Sequence, residues 1–229
     1  MIEGKRGRLI VFEGVEGAGK STQLERLVGH LARASVPHKK FREPGGTALG
    51  DSIRALLLDP LSTISARAEA LLFMASRAEL VSRELRPAID AGTIVLLDRF
   101  FLSTYAYQIA GRGLPESDVR SANMMATNGL VPDLTVLLTL PADVGLERAT
   151  KRSGPDRIEQ SGMEFHARVE EAFAEFATPA WQSTHEECGP IIPVDASGDA
   201  ATVEARVLDV LTNRFQELRA ASLARGAVA

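Results

Sequence analysis

The sequence predicts an α/β fold in which a central parallel sheet of five strands is flanked by helices. Extended apolar runs alternate along the chain with segments whose apolar residues recur at helical spacing. Two of these runs, residues 93–97 and 134–140, are apolar at consecutive positions, as is typical of strands covered on both faces. A glycine-rich stretch also separates the first strand from the first helix. We predict one domain over residues 1–229, with frayed ends at residues 1–8 and 220–229.

The first half of the chain contains two predicted pairs of strand and helix. The first strand covers residues 9–13. Pro37 ends the helix after it, which starts near residue 19 and has apolar residues at i, i+3, i+4 and i+7: Leu24, Leu27, Val28 and Leu31. A second strand at residues 39–42 leads into a turn at residues 44–46. The next helix has one predicted apolar stripe: Leu49, Ile53, Leu56 and Leu57.

The second half begins with a long helix predicted over residues 66–91. We expect Pro87 to kink this helix because proline lacks the N–H group that the preceding turn needs. The strands at residues 93–97 and 134–140 belong in the middle of the sheet. The remaining elements are a helix at residues 164–177, a strand at 191–194 and a closing amphipathic helix at about 203–218.

The composition and charge of the chain argue against several classes of protein. The formal charge of −4 lacks the basic excess of a surface for nucleic acid or anionic membranes, so we expect neither partner. The apolar runs are too short to span a bilayer, which favours a soluble cytoplasmic protein. Cys188 is the single cysteine, which excludes an internal disulfide, and no cluster has the spacing of a zinc site.

Residues 14–21 match the phosphate-binding pattern G-x-x-x-x-G-K-[ST], between a predicted strand and a predicted helix. Glycines allow successive backbone N–H groups to point at phosphate oxygens, and the helix N-terminus adds partial positive charge. Lys20 is expected to bridge the β- and γ-phosphates of ATP, and the Ser21 hydroxyl to ligate Mg²⁺. The alternative is a glycine-rich turn with an exposed lysine. The predicted ATP-binding residues are Gly14, Val15, Glu16, Gly17, Ala18, Gly19, Lys20, Ser21 and Thr22.

Asp98 directly follows the predicted strand at residues 93–97. Strand geometry would deliver its carboxylate to the carboxyl edge of the sheet, where ligands of open α/β folds bind. Magnesium prefers such hard oxygen ligands. Asp98 is therefore predicted either to hold Mg²⁺ through water or to orient the acceptor phosphate; the alternative is a helix-capping or loop aspartate.

A basic segment is predicted to form a small mobile lid at residues 148–160. Arg148, Lys151 and Arg152 lie at i, i+3 and i+4, and a Ser-Gly-Pro break separates them from Arg157. Cations that arrive on closure can stabilise the charge that spreads over a transferring phosphoryl group. The alternative is a solvated basic helix face.

Four linked motifs resemble those of thymidylate kinases, and the resemblance covers residues 9–197. The motifs are FEGVEGAGKST at residues 12–22, REPGGT at 42–47, DRF with STYAYQ at 98–108, and DRIE at 156–159. The resemblance implies a P-loop nucleoside monophosphate kinase fold that transfers the γ-phosphoryl group of ATP to dTMP, yielding dTDP. It also implies a homodimer, for which the apolar stripes on the helices at residues 66–83 and 124–126 are candidates.

The same resemblance implies where dTMP binds. Phe73 would stack on the thymine while Arg77, four residues further on the same helix, donates to its O4 atom. Taken alone, Phe73 would more often be a core residue and Arg77 a solvated arginine. Arg54 and Arg99 would hold the acceptor phosphate. The remaining implied contacts are Thr104 and Gln108 at the base edge, Tyr107 under the sugar and Glu16 at the 3′-hydroxyl.

The loop and lid indicate the bacterial type within that family. Glu16 and Gly17 occupy the loop position at which other members carry an arginine, so the catalytic arginine should lie on the lid. The predicted catalytic residues are Lys20, Asp98, Arg99, Arg148, Arg152 and Arg157. Phe100 departs from the tyrosine or histidine more usual after Asp-Arg, which leaves the role of this position open.

Two rival functions remain open from the sequence. A phosphate loop, a carboxylate and a lid would suit another nucleotide or nucleoside kinase on the same fold. A nucleotide-operated regulatory module is the rival from a different class, although the chain lacks the N-K-x-D motif that reads guanine.

Overall fold

Five parallel strands form one central sheet in the order β2-β3-β1-β4-β5. The structure is a computed structural model that describes residues 6–141, 144, 145, 147, 156–215 and 218. The strands are β1 (Leu9–Glu13), β2 (His38–Arg42), β3 (Ile94–Asp98), β4 (Leu134–Thr139) and β5 (Ile191–Asp195). The predicted strand count, parallel sheet and flanking helices are thus confirmed.

The register of the central strands aligns their carboxyl ends at one edge of the sheet. Phe12 of β1 lies opposite Asp98 of β3 on one side and Val136 of β4 on the other. All of β1 is buried, as are the first four residues of β3 and the first five of β4, because helices cover both faces. The predicted interior positions of β3 and β4 are therefore confirmed.

Nine α-helices connect and follow these strands in the described part of the chain. They are α1 (Lys20–Arg33), α2 (Ala48–Leu58), α3 (Ala66–Leu80), α4 (Arg86–Asp90), α5 (Phe101–Thr104), α6 (Glu116–Thr127), α7 (Met163–Phe176), α8 (Pro179–Gln182) and α9 (Ala200–Arg214). None of the helices in the described residues is long and apolar enough to cross a membrane.

The predicted apolar stripe of α2 was wrong in two of its four members. Ile53 and Leu57 are buried, whereas Leu49 and Leu56 are 51% and 55% exposed. The buried face is rotated toward Gly50, where an added Cβ would lie only 3.0 Å from the Ser76 hydroxyl of α3. A glycine here lets the two helices approach closely, so α2 packs on its Gly50 side rather than on Leu49 and Leu56.

The long predicted helix is helical from Ala66 to Asp90, with a π-helical segment at Val81–Leu85. Directly after this segment, the Arg86 N–H donates to the carbonyl of Val81, five residues earlier. The wider turn lies directly before Pro87, which has no N–H to continue the ordinary pattern. The disturbance expected at Pro87 therefore takes the form of a π-helical turn.

A second π-helical segment, Tyr105–Gly111, extends α5. The two sides of this segment contact different parts of the protein. Tyr107 and Gln108 line a cleft, whereas Tyr105 contacts Trp181 and Phe176 on the opposite side. Because π-helical turns often occur at functional sites, this segment indicates that the cleft is a candidate functional site.

Candidate functional site

A cleft of about 460 Å³ opens at the carboxyl edge of β1 and β3. One end is lined by the loop between β1 and α1, and the other by one face of α3 and the start of the second π-helical segment. Arginines and acidic residues line the space between these two ends. The dimensions suit a ligand with phosphate groups at one end and a planar ring at the other.

The glycine-rich loop has the backbone conformation that the motif predicts. Gly14, Gly17 and Gly19 all have positive φ, and a Cβ on Gly17 would lie only 1.9 Å from the carbonyl oxygen of Gly145. Of the predicted ATP-binding residues, Glu16, Gly17, Gly19, Lys20 and Ser21 line the cleft. The others, Gly14, Val15, Ala18 and Thr22, shape or flank the loop without lining the cleft.

Lys20 is buried, with 6% of its surface exposed, so the alternative of a turn with an exposed lysine is excluded. Its Nζ donates to the carbonyl oxygens of Gly14 at 2.9 Å and Val15 at 2.8 Å. Burial and the neighbouring Arg99 guanidinium lower the pKa of Lys20 to about 8. A positive charge confined in this way is readily stabilised by an anion.

Ser21 and Asp98 meet beside the loop, where the Ser21 hydroxyl donates to Asp98 Oδ2 at 2.8 Å. Asp98 is the last residue of β3, and the N-cap of α5 is Phe100, so Asp98 is not a helix cap. No group of three or more His, Cys, Asp or Glu side chains with metal-site geometry occurs among the described residues. One hydroxyl beside one carboxylate nevertheless fits Mg²⁺, which keeps several waters and takes its other ligands from phosphates.

Glu13 supports the turn after Asp98, a role that the sequence motifs did not indicate. It is fully buried and accepts from the N–H groups of Phe100 at 2.7 Å and Ser103 at 3.0 Å, and from the Ser103 hydroxyl at 2.6 Å. These bonds satisfy the free N–H groups at the start of α5. The signal was available, since a carboxylate at the end of a fully apolar strand needs buried donors.

Arg99 joins the loop to α5. Its guanidinium pairs with Glu16, donates to the Ser103 hydroxyl at 2.9 Å and lies 5.2 Å from the centre of the Tyr107 ring. Its backbone φ of 71° is uncommon for a residue with a side chain. Although burial alone would raise the pKa of Glu16, Arg99 and Lys20 hold it below its usual value. The Tyr107 hydroxyl also donates to Glu16, at 3.4 Å.

Three arginines meet on one wall of the cleft. Arg54 donates to the Pro44 carbonyl at 3.1 Å, and burial together with the charges of Arg42 and Arg99 lowers its pKa. All three guanidiniums line the cleft. Mutual repulsion of this kind is relieved by a dianion such as a phosphate. The family resemblance indicated Arg54 and Arg99 but not Arg42, although Arg42 ends β2 at the same sheet edge.

Arg77 is almost fully buried, with 2% of its surface exposed, and is not the solvated arginine of the alternative interpretation. All five of its N–H groups are donated to protein atoms. The acceptors are Glu43, through two donors at 2.8 and 2.5 Å, Thr104 at 2.9 Å, Asn123 at 2.5 Å and the Phe100 carbonyl at 2.7 Å. The predicted donation to a base therefore requires Arg77 to release one of these acceptors.

Two phenylalanines near Arg77, Phe73 and Phe100, differ in burial. Phe73 is half-buried and lines the cleft one helical turn from Arg77, as the predicted stacking requires. Phe100 is fully buried, and its ring centre lies 4.8 Å from the Arg77 guanidinium. The position after Asp-Arg therefore supports Arg77, which answers the question that the sequence left open.

Gln108 and Arg157 share one partner, Glu69 of α3. Gln108 Nε2 donates to Glu69 at 3.1 Å, and Arg157 donates to Glu69 at 2.7 Å and to the Leu57 carbonyl at 2.7 Å. Gln108 lines the cleft but Arg157 does not. In this structure Arg157 thus contacts α2 and α3, which differs from the predicted contact with a transferring phosphate. Arg148 and Arg152 lie outside the described residues, as do most positions of the predicted lid.

Together, the sheet order, the phosphate loop and the arginine wall place this protein in the class of P-loop nucleotide kinases. A family model described as thymidylate kinase matches residues 12–186. The chain belongs to the thymidylate kinase family.

Individual relatives are similar over most of their length. The thymidylate kinase of Carboxydothermus hydrogenoformans is 48% identical over 172 residues, covering 75% of this chain and 85% of that protein. That of Deinococcus radiodurans is 43% identical over 209 residues, covering 91% and 98% respectively. That of a Synechococcus species is 45% identical over 208 residues, covering 90% and 95%.

Proposed function

We propose that this protein transfers the γ-phosphoryl group of ATP to dTMP, yielding ADP and dTDP. One observation carries the proposal: a single cleft has a phosphate loop at one end and the Phe73 and Arg77 face of α3 at the other. Membership of the thymidylate kinase family supports the same reaction. No observation favours the regulatory module considered as a rival.

At the donor end, the loop N–H groups and the N-terminus of α1 bind the ATP phosphates. Lys20 exchanges its two carbonyl partners for phosphate oxygens, which are stronger acceptors for a buried cation. Ser21 and Asp98 would hold Mg²⁺, which neutralises phosphate charge and orients the donor.

At the acceptor end, Arg42, Arg54 and Arg99 hold the phosphate of dTMP, whose charge offsets their mutual repulsion. Glu16 accepts from the 3′-hydroxyl and stays ionised because of Arg99 and Lys20. Tyr107 packs under the sugar, where its ring is fixed edge-on against Phe165 and Phe173 and leaves no room for a 2′-hydroxyl.

For the base, Phe73 stacks on the thymine ring and Arg77 donates to O4. We propose that O4 takes the N–H that Arg77 now donates to Thr104. Thr104 lines the cleft and is neutral, so its hydrogen bond is exchanged at less cost than the bonds to Glu43. The Thr104 hydroxyl then turns toward the base edge.

The chemical step is an in-line transfer without a covalent intermediate. The bond between an acceptor phosphate oxygen and the γ-phosphorus forms as the bond from that phosphorus to the β–γ bridging oxygen breaks. Lys20, Arg99 and a lid arginine, Arg148 or Arg152, stabilise the charge on the equatorial oxygens, while Asp98 orients the reactants. Positioning and electrostatics therefore supply most of the catalysis.

We also propose that the protein is a homodimer formed through α3 and α6. These helices pack against each other and expose apolar side chains: Leu71 at 61%, Met124 at 43% and Met125 at 79%. Ala126, within the predicted stripe, is buried and cannot contribute. Sedimentation velocity should give twice the 24.6 kDa of one chain, and a monomer over the whole working range of concentrations would refute this arrangement.

The function is tested by an acceptor panel of dTMP, dUMP, dCMP, UMP and dGMP, with ADP release as the readout. We expect the highest kcat/KM for dTMP and no appreciable ADP release without an acceptor. Strong turnover of dCMP or UMP with none of dTMP would identify a different nucleotide kinase. Slow hydrolysis indifferent to dTMP would instead favour the regulatory module.

A further inference from the structure

Glu69 occupies an unusual place for a carboxylate, because it is 1% exposed and belongs to the helix face that lines the cleft. It lies four residues before Phe73 and eight before Arg77, so all three fall on one side of α3. A buried carboxylate needs several donors to offset its loss of hydration. The donors that Glu69 receives indicate what it does.

Four N–H donors reach Glu69 from three side chains. Arg112 donates to both carboxylate oxygens at 3.1 Å, Arg157 donates to Oε2 at 2.7 Å, and Gln108 Nε2 donates to Oε1 at 3.1 Å. Although burial alone would raise the pKa of Glu69, hydrogen bonds from Arg112 and Arg157 lower it. Glu69 is therefore ionised at neutral pH and can only accept hydrogen bonds.

An acceptor-only partner fixes which end of the Gln108 amide points where. The NH₂ group must face Glu69, so the carbonyl Oε1 is directed to the other side, and Gln108 lines the cleft. No donor to Gln108 Oε1 occurs among the hydrogen bonds of the described residues. The Gln108 carbonyl oxygen is thus left for a ligand in the cleft.

We propose that Glu69 is a positioning residue that sets base selectivity by holding the Gln108 amide with its carbonyl oxygen toward the base. The inference rests on the proposed function and extends it. Thymine presents an N3–H donor, whereas cytosine presents an N3 acceptor that would oppose the Gln108 oxygen. Unpaired or opposed polar groups in a closed site discriminate strongly between otherwise similar substrates.

Glu69→Gln gives the sharpest test because its shape is kept while one oxygen becomes an NH₂ group. Each Glu69 oxygen receives two donors, but only Gln108, at Oε1, can turn and accept a hydrogen bond instead. The remaining oxygen is therefore best placed at the Oε2 position, between Arg112 and Arg157. The new NH₂ group then faces Gln108, which must turn its own oxygen inward and its NH₂ group toward the base. We expect the ratio of kcat/KM for dTMP to that for dCMP to fall about 10- to 100-fold, with KM for ATP unchanged.

Two controls separate this role from simple packing. Glu69→Asp disturbs the same ion pairs but remains acceptor-only, so it should keep the selectivity ratio even if activity falls. In a Gln108→Leu background, Glu69→Gln should leave the ratio unaltered, because no amide remains to be turned. Folded Glu69→Gln with the wild-type ratio, or the same loss of ratio in Glu69→Asp or in the Gln108→Leu background, would overturn the proposal.

A measurement on the unaltered protein decides the matter if Glu69→Gln does not fold. With ¹⁵N-labelled glutamine, the Gln108 side-chain NH₂ should be protected from solvent exchange both without and with dTMP. Exchange at solvent-like rates until dTMP binds would place the NH₂ group in the cleft and refute the inference. This readout needs no turnover, so it remains decisive even if the protein does not phosphorylate dTMP, an outcome that would instead refute the proposed function.

Discussion

Replacing Lys20 with alanine is expected to lower kcat by about 10³-fold or more, because it removes positive charge from the transferring phosphoryl group. The stability of the fold should not decrease. The pKa of Lys20 falls from 10.5 to about 8 on folding, so keeping it protonated at neutral pH costs about 3 kcal/mol. The free energy of unfolding of Lys20→Ala should therefore equal or exceed that of the wild type. Steady-state kinetics and urea denaturation measure the two quantities.

Lys39→Ala is a matched control, since Lys39 is exposed on β2, where it pairs with Glu84 and lies over the Phe41 ring, away from the cleft. It should leave kcat unchanged. The protonation of Lys20 gives a second readout. Because bound phosphates favour the charged lysine, binding of ATP with magnesium should take up protons near pH 8.5 in the wild type but not in Lys20→Ala. Calorimetry in buffers of different ionisation enthalpy measures this uptake. A Lys20→Ala variant with near-normal kcat would contradict the assignment of the phosphate loop.

Arg77→Ala is expected to raise KM for dTMP by about 100-fold while changing KM for ATP little. Arg77 lies at the end of the cleft proposed to bind the base, and the phosphate loop lies at the other end. The side chain is also the counter-ion of Glu43, a carboxylate that is 5% exposed. Its removal should lower the free energy of unfolding by about 3–5 kcal/mol, because it leaves a buried charge unpaired. Kinetics with each substrate varied in turn, with urea denaturation, measure both effects.

The pH dependence of the stability loss follows from Glu43. Burial raises its pKa even with Arg77 present, and without Arg77 the pKa should rise further. A carboxyl group with a raised folded pKa stabilises the protonated folded state, and this contribution is lost as pH rises through that pKa. Arg77→Ala should therefore lose less stability at pH 5 than at pH 7, and a second change, Glu43→Gln, should restore part of it.

Arg83→Ala tests whether the effect is specific to this side chain. Arg83 lies in the π-helical segment that continues α3, and its side chain is 73% exposed, so its loss should change neither KM nor stability appreciably. Equal increases in KM for dTMP and ATP in Arg77→Ala would show that the thymine pocket has been misplaced.

The sequence predicted the sheet and the place of the phosphate loop, for a local reason. Strands buried on both faces appear as continuous apolar runs, and a phosphate loop is defined by adjacent residues, so residues 14–21 and Asp98 can be recognised along the chain. The family resemblance added Phe73, Arg77 and Gln108, whose spacing alone also fits core or surface positions.

The tertiary structure determined which side chains far apart in the sequence contact one another. Arg42 joins Arg54 and Arg99, Glu13 supports the turn after Asp98, and Arg157 binds Glu69 rather than lining the cleft. The contacts of Glu13 and Arg157 join residues 87 to 90 positions apart in the sequence, which no local pattern encodes. The sequence by itself therefore determined the fold and the phosphate loop, whereas only the packed structure determined which charges offset one another along the cleft.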